Sequence, residues 1–407
     1  MRHGSIAFSL WLTATFAATL TRAGADPSLP LTEAVAQAKA RNPVAAAARA
    51  EARAARRGLI VARSYPAAHL IYAPAITKGG ALEELRISQP LEFGRTRASR
   101  IGVARAHVAE EEATAITEIS ALVYDAKSAY FALGESRALA QAHASAIEAT
   151  TGFLETARKR VLSGVARPED EALLQMYLED LRMSAEEYAM SSRNAAVWLN
   201  TLMARSPQDP IGDLEPLSVV PMSMTQEEVI AKALHQSSSL RVDAARRSSF
   251  EQQAKQASSL DDLKVALHYR AEEVTRDIRE QGFGVTFVLP LGSQKGTRAA
   301  ADQKRALALS QQHRETATEN AIRNDVITIM GELALLEQSL SEHKARIASR
   351  QHILQTLTRD FETGSGSAPA LIEAHRAYLK ASNDAIRFRA RHARAKALLD
   401  RAMSETD

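Results

Sequence analysis

The sequence predicts a mainly α-helical chain made of two long antiparallel coiled-coil hairpins, with four short strands set between helices. Three observations lead there: an internal duplication, heptad periodicity over long Ala-rich stretches, and short segments alternating in polarity. The duplication comes first. The run QPLEFGRTRAS (Gln89 to Ser99) has a counterpart in LPLGSQKGTRA (Leu289 to Ala299), and RKRVLSGVARPEDEALLQ (Arg158 to Gln175) is echoed by LTRDFETGSGSAPALIEA (Leu357 to Ala374). Pro90 and Pro290 are separated by the same 200 residues as Gly164 and Gly364. Solenoid repeats are far shorter, about 20–50 residues, so the repeated unit is half a molecule. It comprises residues 26–215 and 225–407, joined by 216–224, each half holding a helix, a strand pair (68–91 and 264–290) and a hairpin with its tip near 164 or 364.

The helices follow from periodicity. Residues 29–64 are helical in pattern, with Thr32 able to cap and Asn42-Pro43 making a break. A helix over 94–163 carries Ile116, Ile119, Val123, Ala126, Tyr130 and Leu133 at steps of 3, 4, 3, 4 and 3, a heptad seam. At 1.5 Å per residue it would extend about 100 Å. Gly164 is placed to end it and Pro168 to begin the return helix, which runs to about Met203. The proline-rich segment 205–221 has no helical period and links the halves. The second half predicts helices over 225–260 and 297–362, the latter with Ile322, Val326, Ile329, Leu333, Leu336 and Leu340 at heptad steps. A turn follows at Gly364-Ser365-Gly366, and a last helix runs to about Met403.

The strands are assigned by alternation. Leu85, Ile87 and Leu91 oppose Glu84, Arg86 and Ser88; Val265, Leu267 and Tyr269 oppose Lys264, Ala266, His268 and Arg270; Phe283, Val285, Phe287 and Leu289 oppose Gly284, Thr286 and Val288. Residues 68–76 form a weaker fourth, while Thr77 to Gly80 and the charged Glu272 to Gln281 have the character of exposed turns. One apolar and one polar face per strand suits either a soluble sheet with one buried face or a transmembrane barrel with a wet lumen. Four strands cannot close a barrel, and open edges are not tolerated in lipid. Spanning strands would therefore require several copies of the chain.

The N-terminus reads as a secretory signal: Arg2 and His3, an apolar run from Ile6 to Leu20, then Ala23-Gly24-Ala25, with cleavage expected before Asp26. The apolar run is shorter than the ~20 residues of a spanning helix. The 407 residues include no cysteine, which excludes disulfides, thiolate metal sites and a Cys nucleophile, and fits a bacterial periplasm or outer membrane. Without Arg2 and Arg22, 49 basic residues face 48 acidic ones, so no nucleic-acid surface is implied.

Taken in order, LTEAVAQAKARNP (Leu31 to Pro43), QPLEFGRTRASRI (Gln89 to Ile101), VLPLGSQKGTR (Val288 to Arg298) and the two glycine turns resemble the TolC-like outer-membrane factor family of efflux and secretion channels. The phrase QPLEFGRTRASR and the short chain resemble its heavy-metal branch, which serves cobalt-zinc-cadmium or copper-silver pumps. The resemblance implies a homotrimer in which four strands per chain make one twelve-stranded barrel in the outer membrane. The helices would form an α-barrel reaching through the periplasm. The polar strand faces, with Arg86, His268 and Arg270, would line the lumen. The tips, at Gly164, Val165, Gly364 and Ser365, would contact a periplasmic adaptor joined to an inner-membrane pump, such as one of the RND type. Asp170, six residues past Gly164, matches the first acidic gate position of the family; Ala370 departs from the second, and Glu373 lies three residues further. Both also fit as ordinary helix-start carboxylates. Cargo could be metal ions, small toxins or secreted polypeptides, and a periplasmic coiled-coil tether without a pore is the alternative from another class.

No enzyme is indicated. In Gly292 to Thr297 the lysine precedes the glycine, against the phosphate-loop order; no HExxH occurs; and Gly364-Ser-Gly-Ser367 lacks the strand–turn–helix setting of a nucleophile. No cofactor or metal is expected, and the eleven scattered histidines read mostly as solvated helix residues.

Overall fold

The computed structural model describes residues 28–77, 80–92, 96–219, 221–258, 264–275, 278–288 and 294–404. The signal-peptide segment lies outside them, as do the middles of two expected turns (78–79 and 276–277) and Leu289-Pro290. Helix α1 (Leu31–Arg41) and α2 (Pro43–Arg63) lead to β1 (His69–Thr77) and β2 (Gly80–Glu92), then to α3 (Thr96–Leu162) and α4 (Pro168–Leu202). The second half repeats this with α5 (Gln226–Gln236), α6 (Ser238–Ser258), β3 (Lys264–Thr275), β4 (Ile278–Val288), α7 (Gln294–Thr363) and α8 (Ala368–Ala402). Among the described residues no helix is long and apolar enough to cross a membrane.

The heptad residues make the hairpins. Val123, Ala126, Tyr130 and Leu133 of α3 are buried, as are Val326, Ile329, Leu333 and Leu336 of α7, while Ile116, Ile119 and Ile322 are only half-buried. Two clusters repeat at the 200-residue offset: Ala129, Leu133, Leu199 and Met203 in one half, Ile329, Leu333, Leu399 and Met403 in the other. Both return helices end on a non-glycine residue in the left-handed region, Ala204 (φ 54°) and Ser404 (φ 55°). The two hairpins join through α8, which packs on α3 and α4 as well as on α7. A third cluster, with Leu154, Leu174, Tyr177, Phe361 and Leu371, ties all four helices together near the tips.

The structure departs from the sequence reading in four places. Thr32 lies inside α1, whose N-cap is Pro30. The expected helix over 225–260 is broken at Ser237, whose hydroxyl accepts from the Leu240 amide as Asn42 accepts from Val44 in the first half. The expected loop over 272–281 is largely strand, because β3 continues to Thr275 and β4 begins at Ile278. The proline-rich linker is pinned along α3: the Tyr130 hydroxyl donates to Leu29 O and accepts from Glu215 N, and Arg137 donates to Gly212 O and Ile211 O.

Candidate functional site

The four strands form one antiparallel sheet in the order β1-β2-β3-β4, so its two edges are β1 and β4. Its register sorts side chains by face. Leu70 pairs with Ile87, Tyr72 with Leu85, Ile87 with Tyr269, Tyr269 with Phe283, and Leu267 with Val285. That face is apolar and open: Phe283 is 90% exposed, Phe287 64% and Leu70 67%. On the opposite face Arg86, Ser88, Ala266 and His268 are half-buried within a single chain. A soluble sheet buries its apolar face and wets the polar one; here the relation is inverted. His268 Nδ1 lies 3.2 Å from Thr286 Oγ1, and a Cβ on Gly284 would fall 2.4 Å from His268 Nε2, so the imidazole uses the space that glycine leaves. Pro90, lacking a donor, lies beyond the point where β1 has ended at the His69–Ser88 pair.

The opposite end of the molecule holds the paired tips. Gly164 (φ 71°) and Gly364 (φ 94°) occupy the left-handed conformation that closes a helix end with little strain for glycine. Arg160 O accepts from Val165 N at 2.9 Å, and Asp360 O accepts from Gly364 N, Ser365 N and Gly366 N at 2.9–3.1 Å. The first tip exposes Leu162 and Val165; the second exposes Thr363 and Ser365, hydroxyl-bearing residues. Arg160 links them. Its guanidinium donates to Phe361 O at 2.8 Å and Gly364 O at 3.3 Å and sits 5.1 Å from the Phe361 ring centroid. It thereby places a cation at the C-terminal end of α7, where the helix dipole favours one.

Asp170 is half-buried in the first turn of α4 and Glu373 is exposed in the second turn of α8. Neither joins an ion pair among the described residues, whereas Glu171, beside Asp170, pairs with Arg158 at 2.9 Å. Arg86, His268 and position 270 share one sheet face, Arg86 directly opposite 270. These three are remote in sequence from the tip residues and sit beyond the other ends of the long helices.

Three features escaped the sequence reading. Arg160 was one; its place at the same offset as Asp360 was the available clue. Another is an exposed stripe on α4, with Met176, Met183, Met190 and Val197 at every seventh residue. The third is that His143, His343, His375 and His392 are buried rather than solvated. His375 lies 3.4 Å from both Thr150 Oγ1 and the Tyr177 hydroxyl, and burial pushes its pKa down to about 4. Burial also lowers that of His143, which contacts Asn383 at 3.1 Å, and raises the Tyr177 phenol to about 12. No group of residues able to hold a metal ion occurs among the described residues.

A four-stranded open-edged sheet joined to paired coiled-coil hairpins is also the fold of solved outer-membrane channels. Residues 229–405, essentially the second repeat, match the model of the Outer membrane efflux protein family. Solved structures with the same fold include the outer-membrane channel OprN, with 16% identity and a TM-score of 0.79 over 92% of this chain and 90% of that one. The Neisseria gonorrhoeae MtrE outer membrane channel, in its open state, gives 16% identity and a TM-score of 0.77 over 92% and 88%. CusC, described in terms of folding and transmembrane channel formation, gives 12% identity and 0.78 over 95% of each chain. No curated protein matches the sequence.

Proposed function

We propose that this protein is the outer-membrane duct of a tripartite export system, a passive conduit through which solute leaves a cell. The observation that carries this reading is the inverted sheet. Its exposed apolar face suits lipid and its half-buried polar face a wet lumen, while the free edges of β1 and β4 need partners that one chain does not supply. A second and third copy would supply them, closing twelve strands. The exposed stripe on α4 supports the same assembly, since a continuous apolar row in the helical region also needs cover. The family match and the channel structures of like fold support an outer-membrane location.

The helical tips would face a periplasmic adaptor, with Leu162 and Val165 as its apolar contact and the Arg160 link holding the resting state closed. Three copies of Asp170, and of Glu373 nearer the second tip, would then ring the entrance and favour cations. Energy would come from an inner-membrane pump. A heavy-metal cargo rests on the phrase QPLEFGRTRASR and the short chain, and organic toxins or polypeptides fit the same duct. Native mass spectrometry of the full-length product, extracted in detergent from the outer-membrane fraction, tests the proposal. A trimer lacking residues 1–25 is the expected species. A monomer or dimer recovered from the soluble periplasm would mean that the chain is a coiled-coil tether.

A further inference from the structure

The two halves of the chain meet along a seam whose counterpart a single chain does not form. Helices α2 and α6, of 21 residues each, correspond at an offset of 195 residues, from Pro43 to Ser238, while α3 and α7 correspond at 200. Packing agrees with both offsets. Ala52 clusters with Ala115 between α2 and α3, and at the matching places Arg247 pairs with Glu315 between α6 and α7. Helix α6, however, has a second neighbour. It also lies on α3, where Arg246 Nε is 2.7 Å from Glu110 Oε1 and Ser238 Oγ is 2.8 Å from Thr117 Oγ1. In the same contact Gln252 covers Gly102, where an added Cβ would fall 2.8 Å from its Oε1. This seam continues the β2–β3 pairing, because α3 follows β2 and α6 precedes β3. Its counterpart would join β4 to β1 and α7 to α2. One chain cannot make it: β1 and β4 are opposite edges of the sheet, and α2 has no comparable contact with its own α7.

Burial marks both sides of the missing seam. Ala245 of α6 is buried and Ser249 and Gln252 are half-buried, whereas Ala50, Ala54 and Arg57 at the same places on α2 are exposed. Ala106 and Ala113 of α3 are buried; Ala306 and His313 of α7 are exposed. Arg57 and Asp302, of opposite charge, stand at the places of Gln252 and Gly102. Arg57 joins no ion pair among the described residues, and Asp302 bonds only the exposed Arg305 of its own helix, a pair of little strength. Nearer the tips, Lys127–Asp400 and Glu135–Arg394 tie α3 to α8. On α7 the matching residues are Ile327 and Leu335, exposed and apolar, and α4 offers its methionine stripe where α8 has charges.

We propose that α7 of one copy receives α2 and the methionine stripe of α4 from the next copy. Arg57 then pairs with the partner's Asp302, and Met190 and Val197 cover the partner's Ile327 and Leu335. This rests on the shared-barrel reading above. Two different surfaces meet head to tail, and such contacts close into rings when the rotation permits. The occupant is a second copy because the seam repeats the packing plan that already joins the two halves. Arg298 and Arg305 flank Asp302 one turn away on either side. A slip of one turn, about 5.4 Å, would therefore set Arg57 against another arginine, so the charges also fix the register.

The test is cross-linking of the full-length protein in outer membranes. The chain has no cysteine, so the double variant Arg57→Cys/Asp302→Cys can be treated with a short bis-maleimide and read on a denaturing gel. Cross-linked dimers and trimers are expected from it and none from either single variant. Arg57→Cys/Ser310→Cys, with the second thiol two turns further along α7, should react far less. Charge exchange is the second readout, by native mass spectrometry in detergent. Asp302→Arg should lose most of its trimer at low salt, where charges are least screened, and adding Arg57→Glu should restore it. All these positions are exposed in the single chain, so its own fold is not at stake. Trimers that do not cross-link through 57 and 302, that are indifferent to Asp302→Arg, or that Arg57→Glu does not restore would overturn this seam and leave the duct standing. A wild-type protein that forms no oligomer at all would overturn both.

Discussion

Helices α4 and α8 occupy the same place in the two halves and have the same length, 35 residues, yet they differ in nearly every surface property. Helix α4 carries seven carboxylates and two arginines; α8 carries eight basic residues and three acidic ones. Helix α8 is central, with basic side chains spent on all its neighbours: Arg394 on Glu135 of α3, Arg376 on Asp180 of α4 and Arg391 on Glu332 of α7. Helix α4 keeps one side free. At the 200-residue offset, Met190 (57% exposed) corresponds to Ala390 (0%), and Val197 (42%) to Ala397 (3%). A single backbone plan has thus been kept while one copy became core and the other an outer surface. Duplication fixes where helices lie and leaves their faces free to specialise.

That contrast can be broken most forcefully by placing the same residue at both members of a pair. Ala390→Glu buries an unpaired carboxylate between helices and should cost about 4 kcal/mol or more, with loss of helical signal and cooperative melting in circular dichroism. Met190→Glu at the matching site should leave the fold of the chain intact and reduce assembly, seen as a shift from oligomer to monomer in detergent by light scattering. Equal damage to folding from both would show that α4 is as internal as α8.

Acid sharpens the comparison, because the buried His375 of α8 corresponds to the half-buried, non-titrating Gln175 of α4. Thr150 and Phe153 of α3 and Tyr177 of α4 face its ring, with Arg376, Asp180 and Glu373 acting on that tyrosine nearby. The folded pKa of about 4 lies below the ordinary 6.5. As pH falls the unfolded chain therefore takes up the proton first, and stability is lost between about pH 6.5 and 4. The full loss would be about 3 kcal/mol. Thermal melting across that range should show the slope in the native chain and a shallower one in His375→Gln, whereas Gln175→Ala should leave it unchanged.

The smallest expected effect concerns the tips. Gly364→Ala forces a side chain into the left-handed region at about 1 kcal/mol, and Arg160→Ala removes two hydrogen bonds to carbonyl oxygens of the second hairpin, about 1–3 kcal/mol together. Amide exchange near residues 361–366 should quicken in both, with α8 itself remaining protected. Exchange unaltered by Arg160→Ala would remove that residue from the link between hairpins.

How much of this was legible depended on how local the cause was. The hairpins were, because heptad seams such as Val123 to Leu133 and turn glycines at 164 and 364 act within a few residues. The break at Ser237 was not, since its counterpart announces itself with Pro43 and this one with serines alone. Residues 272–281 read as a loop because they are charged, yet charges belong in a strand whose inner face is wet. The burial of His143 and His375 and the exposure of Met190 depend on partners up to about 240 residues away, and no periodicity along one helix reveals them.

The central claim is that the sheet turns its apolar face to lipid and its polar face to water. Because the chain has no cysteine, single cysteines at Val285 and Ser88 can be probed with a membrane-impermeant maleimide in intact outer membranes. The account predicts labelling at Ser88→Cys through the lumen and protection at Val285→Cys until the membrane is dissolved. Labelling of both positions in the intact membrane, or of position 285 alone, would contradict it.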